Sequence, residues 1–145
     1  MHFRVLYIMP NVSLDDISLG GIEEEFGKKF CYDCGASTGE IMDFCDWFQI
    51  GGRFDSYLVA ERGIREGYGF EDDDVEEIDK KDENKFDVAE IKDLLWPLKN
   101  DNFYAIATPS DIIEVDANEE AAQELLDKVN NNIIKGCVAV IDCHD

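Results

Sequence analysis

Nine residues, Asp46-Trp47-Phe48-Gln49-Ile50-Gly51-Gly52-Arg53-Phe54, constrain the fold more than any other stretch of the chain. They set the densest aromatic cluster against an adjacent glycine pair with strand-like residues on both sides. Residues 44–50 and 53–60 both have strand composition. A glycine pair between two such runs predicts a two-residue hairpin, because the turns that match strand twist need positive φ. In that register Ile50 faces Arg53, Phe48 faces Asp55 and Trp47 faces Ser56. Both faces of the hairpin are then partly apolar. Such a hairpin is covered on both sides, or packs on one and binds something on the other.

The remaining pattern predicts an α+β fold. Residues 2–9 are rich in β-branched and aromatic side chains and read as a central strand, ended by Pro10-Asn11. Ser13 can cap a helix with Asp15 and Asp16 in its first turn. Gly20-Gly21 interrupts the pattern, and a second helical piece follows over 22–30 with Ile22, Phe26 and Phe30 on one face. Residues 31–40 read as loop. Residues 88–95 predict a short helix with Val88, Ile91 and Leu95 on one side, stopped at Trp96-Pro97. Residues 103–108 and 111–115 read as extended. The helical spacing of Ala121, Ala122, Leu125, Leu126 and Val129 predicts a helix over 118–130, capped by Asp116. Residues 137–142 form a last strand. The expected architecture is one domain over 1–145: a mostly antiparallel sheet with the Gly-Gly hairpin at its centre and helices packed on one face. A ferredoxin-like variant is compatible with this order.

Charge narrows the function classes. The chain has 34 Asp plus Glu against 13 Lys plus Arg, for a net charge of -21 in 145 residues. Such a surface repels nucleic acid and anionic membranes, and it attracts basic surfaces on other proteins. It also serves simple solubility. Hydrophobic content of 45% sets the chain apart from disordered acidic tails. The charge is densest in an acidic loop at about 70–86, which carries Glu71, Asp72, Asp73, Asp74, Glu76, Glu77, Asp79, Asp82 and Glu83. No apolar run reaches the roughly 18 residues a membrane span requires. The N-terminal run lacks a small-residue cleavage site and reads as a strand, so a cytoplasmic protein is expected.

Three constellations could carry chemistry. Cys31-x-x-Cys34 has zinc-ligand or redox spacing, with Cys45, Cys137, Cys143, His2 and His144 to complete a site. The alternative is free, partly buried thiols in a reducing compartment, with no cofactor. Asp142-Cys143-His144-Asp145 places a histidine among carboxylates, as a general base or a ligand requires, but at a chain end expected to fray. Gly51-Gly52-Arg53 can hold an anion through backbone N–H groups and a guanidinium, or can simply be a turn whose arginine pairs with Asp46 or Asp55. Together these define a candidate ligand site at Arg53, Asp142 and His144. No P-loop and no dinucleotide-binding glycine pattern is present.

Residues 46–54 resemble a signature of uncharacterised bacterial and phage proteins, in which Asp-Trp-aromatic precedes Ile-Gly-Gly-Arg and a second aromatic. That aromatic is usually tryptophan where this chain has Phe54. Those proteins are also similar at the far end, where an apolar strand closes in Asp-x-His, here Asp142-Cys143-His144. The resemblance implies a core shared by hairpin and tail, and a phage or mobile-element origin. It transfers no catalytic residue. By analogy with small acidic phage proteins, the expected function is a non-enzymatic inhibitor of the anti-CRISPR or DNA-mimic kind. Its partner would be a host protein with a basic nucleic-acid-binding surface, contacted through the acidic run, with no direct nucleic-acid or membrane binding. The rival expectations are a small enzyme or ligand-binding domain on Arg53, Asp142 and His144, and a zinc-stabilised domain on Cys31 and Cys34.

Overall fold

Two nine-residue strands, paired along their whole length, carry the fold. The computed structural model describes residues 1–31, 44–54, 57–65 and 85–145. Their elements are β1 (His2–Pro10), α1 (Leu19–Phe30), β2 (Trp47–Ile50), β3 (Leu58–Val59), β4 (Gly63–Ile64), β5 (Lys85–Phe86), β6 (Val88–Glu90), β7 (Ala105–Thr108), β8 (Asp111–Glu114), α2 (Glu119–Asn130) and β9 (Gly136–His144). The main sheet runs β4-β6-β9-β1-β7-β8, with β2 also paired to β9. Among the named strands of the described residues, only β1 against β7 is parallel, and β3 pairs with β5 in a small second sheet. The α+β class and the central position of the first strand are as the sequence predicts.

The helices do not share a face. Val5, Tyr7 and Met9 of β1 pack with Ile22, Phe26 and Phe30 of α1 on one side. Leu6 and Ile8 pack with Ala122, Leu126 and Val129 of α2 on the other. The reason lies in the strands: residues 5–9 and 137–141 are buried without interruption, so both faces must be covered. Fully burying each large apolar side chain contributes about 1.5–3 kcal/mol. This corrects the expectation of helices on one face, and with it the ferredoxin-like variant.

Gly20 and Gly21 do not break a helix either. They occupy the first turn of α1, where the Ser18 side chain caps the Gly21 N–H at 3.1 Å. The break falls earlier: Leu14–Asp16 is a separate 3-10 turn capped by Ser13. The N-cap of α2 is Asn118 rather than Asp116, and its side chain makes no capping bond. Residues 88–95 are not helical. Val88 and Ala89 form strand β6 against Ala139 and Val138, and only Ile91–Asp93 turns, as a 3-10 turn. Both residues are fully buried, so ladder pairing with β9 outweighs the helical spacing of Val88, Ile91 and Leu95.

The Gly-Gly hairpin does not form. Gly51 and Gly52 have φ of 74° and 51°, the positive values expected, but the chain continues into a 3-10 turn over Gly52–Phe54. β2 pairs instead with the end of β9, Trp47 opposite His144 and Ile50 opposite Ile141. Leu58 and Val59 pair with β5. Positive φ permits either route, and β9 offers β2 a long, buried partner that the segment after the glycines lacks. Asp55 and Ser56 lie outside the described residues.

Candidate functional site

The outer edge of β9 is shared by two strands that meet end to end. β6 pairs with residues 137–139 and β2 with residues 141–144. Val140 is the seam: its carbonyl accepts from the Gly51 N–H at 2.8 Å, and its N–H donates to the Asp87 carbonyl at 2.9 Å. Two buried carboxylates flank that point, Asp87 at 0% exposure and Asp142 at 1%. A Cβ built on Gly51 would stand 2.6 Å from Asp87 Oδ2, and one on Gly52 would overlap the Asp142 side chain. Glycine is therefore required twice, for the left-handed backbone and for the space the carboxylates fill.

Asp142 organises what surrounds it. Its Oδ2 accepts the Arg53 backbone N–H at 2.9 Å, and its Oδ1 stands 2.7 Å from His2 Nδ1. A carboxylate can only accept there, so Nδ1 carries a proton and the bond orients the ring. The His144 ring meets the His2 ring edge-on, with centroids 5.0 Å apart. Trp47, 48% exposed, packs edge-on against His2 at 5.9 Å and His144 at 6.2 Å. The neighbouring Arg4 guanidinium lies over the Phe54 and Tyr57 rings at 4.6 and 4.1 Å and donates to the Asn102 carbonyl at 2.8 Å. Burial pushes the Tyr57 hydroxyl pKa up, with Arg4 opposing the shift.

The candidate residues therefore divide. Asp142 and His144 share one face of β9, two residues apart. Arg53 joins them through its backbone N–H, while its side chain is exposed. The tail is not frayed: β9 runs through His144, and the Asp145 N–H bonds the Met1 carbonyl at 3.0 Å. His2 enters the site although the sequence marks it only as a candidate zinc ligand. Antiparallel pairing of the first and last strands, which places position 2 opposite 144, was the signal that could have found it.

The cysteines gather on the other face. Cys31 and Cys45 are neighbours across a bridge, and Cys143 lies beside them. Cys31 Sγ donates to the Asp46 carbonyl at 3.3 Å, and Cys45 Sγ to the Phe30 carbonyl at 3.6 Å. Burial, and then the hydrogen bond with Cys45, pushes the Cys143 thiol pKa well up. Cys137 stands apart near the start of β9; burial, with Glu90 and Asp93 nearby, raises its pKa to about 12. All four are buried, Cys45, Cys137 and Cys143 as free thiols, and among the described residues no group of three ligand side chains suits a metal ion. Cys34 lies outside the described residues.

All nine acidic positions from Glu71 to Glu83 also lie outside the described residues. Acidic surface is nonetheless present elsewhere. The outward side of α2 exposes Glu119, Glu120, Glu124 and Asp127, and Asp116 precedes it. Lys128 approaches this face at 4.0 Å from Glu124. Among the described residues no helix is long and apolar enough to cross a membrane. No family model matches the chain, and neither a curated protein nor a solved structure matches it.

Proposed function

We propose that this is a non-enzymatic acidic binding protein that occupies a basic, nucleic-acid-handling surface of a host protein. The observation that carries the reading is the exposed acidic face of α2 in a chain of net charge -21. Carboxylates spaced along a helix present negative charge to a partner as a phosphate backbone does, and they steer association at long range. The acidic run 71–83 adds to this field by sequence. In this reading the protein acts in the cytoplasm as an inhibitor of the anti-CRISPR or DNA-mimic kind, of phage or mobile-element origin. The test is capture from a host lysate on the immobilised protein at low salt, followed by a rising salt step. The expected result is elution of a nucleic-acid-binding protein at moderate salt. Retention unaffected by salt would contradict it, since screening at physiological ionic strength acts over about 8 Å.

A second reading is favoured by one specific observation, the buried Asp142 carboxylate that orients His2 with His144 beside it. A carboxylate–imidazole pair of this form supports general acid–base chemistry or ligand binding at Arg53, Asp142 and His144. It expects turnover of activated esters or phosphodiesters that is lost in His2→Asn at an unchanged thermal midpoint. Turnover equal to buffer would end it.

A further inference from the structure

At the opposite end of the β1–β9 ladder, roughly 25 Å away by strand rise, three connections border a half-open cavity of about 500 Å³. They are the turn after β1, the 3-10 turn after β6 and the segment between α2 and β9. Two left-handed residues, Asn11 at φ 61° and Asn132 at φ 56°, shape its walls, and the Asn11 N–H bonds the Lys135 carbonyl at 2.6 Å. Val12 and Ile91 supply apolar wall, and Lys92 and Lys135 stand at the rim.

We propose that this cavity binds a nucleoside monophosphate. Its volume falls within the range of small-molecule sites, which combine apolar walls with a few placed polar groups. Val12 and Ile91 offer a surface for a flat ring. Asn11 and Asn132 line the cavity, and a carboxamide carries the donor and acceptor that match a base edge. The Lys135 ammonium offers the charge a phosphate requires. Glu90 also lines the cavity, but its carboxylate is already engaged. Oε1 accepts from the Leu14 N–H at 2.8 Å and the Ser13 hydroxyl at 3.3 Å, and Oε2 pairs with Lys92 at 3.3 Å. Lys135 has no carboxylate partner among the described residues, so it is the group free to meet the anion. In a chain of net charge -21, a lining with one lysine left over after the Glu90–Lys92 pair is a locally favourable place for a phosphate.

The test is a titration of the full chain with adenosine 5′-monophosphate at low salt, followed by amide chemical shifts. The expected shifts cluster at Asn11, Asn132 and Gly136. Lys135→Glu weakens binding about tenfold or more, as loss of a charged hydrogen bond requires. Asn132→Gly keeps the left-handed backbone, removes the carboxamide and also weakens binding. Adenosine binds at least about tenfold more weakly than the monophosphate, because it lacks the charged hydrogen bonds. The proposal is overturned by absence of shifts at these residues up to millimolar ligand, by equal affinity of adenosine, or by variants that bind as the parent does.

Discussion

Carboxylates do opposite work in two regions of this protein. At the seam on β9, Asp142 is 1% exposed and each of its oxygens meets a named partner, His2 or the Arg53 N–H. On the outer side of α2, Glu119, Glu120, Glu124 and Asp127 stand in water with few fixed partners. A buried carboxylate is tolerable only when its hydrogen bonds are made, so it specifies geometry. An exposed one contributes little to stability and much to the field around the molecule. The seam therefore belongs to the fold, and the α2 face is where the proposed recognition would act.

The largest effect should come from Asp142→Ala. It strands the Arg53 N–H and His2, and should cost about 3 kcal/mol or more by denaturant unfolding. A loss below about 1 kcal/mol, the scale of a surface change, would erase the contrast between the regions. Gly52→Ala comes next at about 2 kcal/mol, from a forced left-handed alanine and its overlap with Asp142. In an Asp142→Ala background the same change should cost less, because the overlap is gone; strictly additive costs would separate the glycine from the carboxylate. Ile8→Val, in the ladder core, should cost about 1 kcal/mol, since it removes one buried methyl and disturbs no polar partner.

Glu90 gives the pH arm. The Leu14 N–H, followed by Lys92 and the Ser13 hydroxyl, holds its pKa below the usual carboxylate value of 4.5. A group depressed on folding adds stability above its unfolded pKa and loses it as pH falls through the folded one. Glu90→Gln should therefore lower the thermal midpoint at neutral pH and flatten its decline below about pH 4.5. A variant whose acid decline matches the parent would remove Glu90 from this role. The smallest change is expected on α2, where Glu120→Gln with Glu124→Gln and Asp127→Asn should leave unfolding within about 1 kcal/mol of the parent.

Most of the sheet was legible because its signals are local. Residues 5–9 and 137–141 are apolar without a break, and Ile22, Phe26 and Phe30 keep helical spacing, so β1, β9 and the buried face of α1 follow directly. Residues 88–95 misled because a short apolar run fits both periods, and only pairing with Cys137 and Val138 decides for strand. Gly51-Gly52 announced positive φ but not a partner. The choice between a hairpin and a seam is made by β9, about ninety residues on, whose edge out-competes the local return. The sequence predicts a fraying His144 because no local feature of the tail shows that β1 and β2 pin it from both sides.

The most direct test measures how tightly the captured partner binds as salt rises, for the parent and for the α2 triple variant side by side. The account predicts steep weakening with salt for the parent. The variant should bind more weakly at low salt and with a shallower slope, at unchanged fold stability. Equal affinity and equal slope for the two proteins would contradict it.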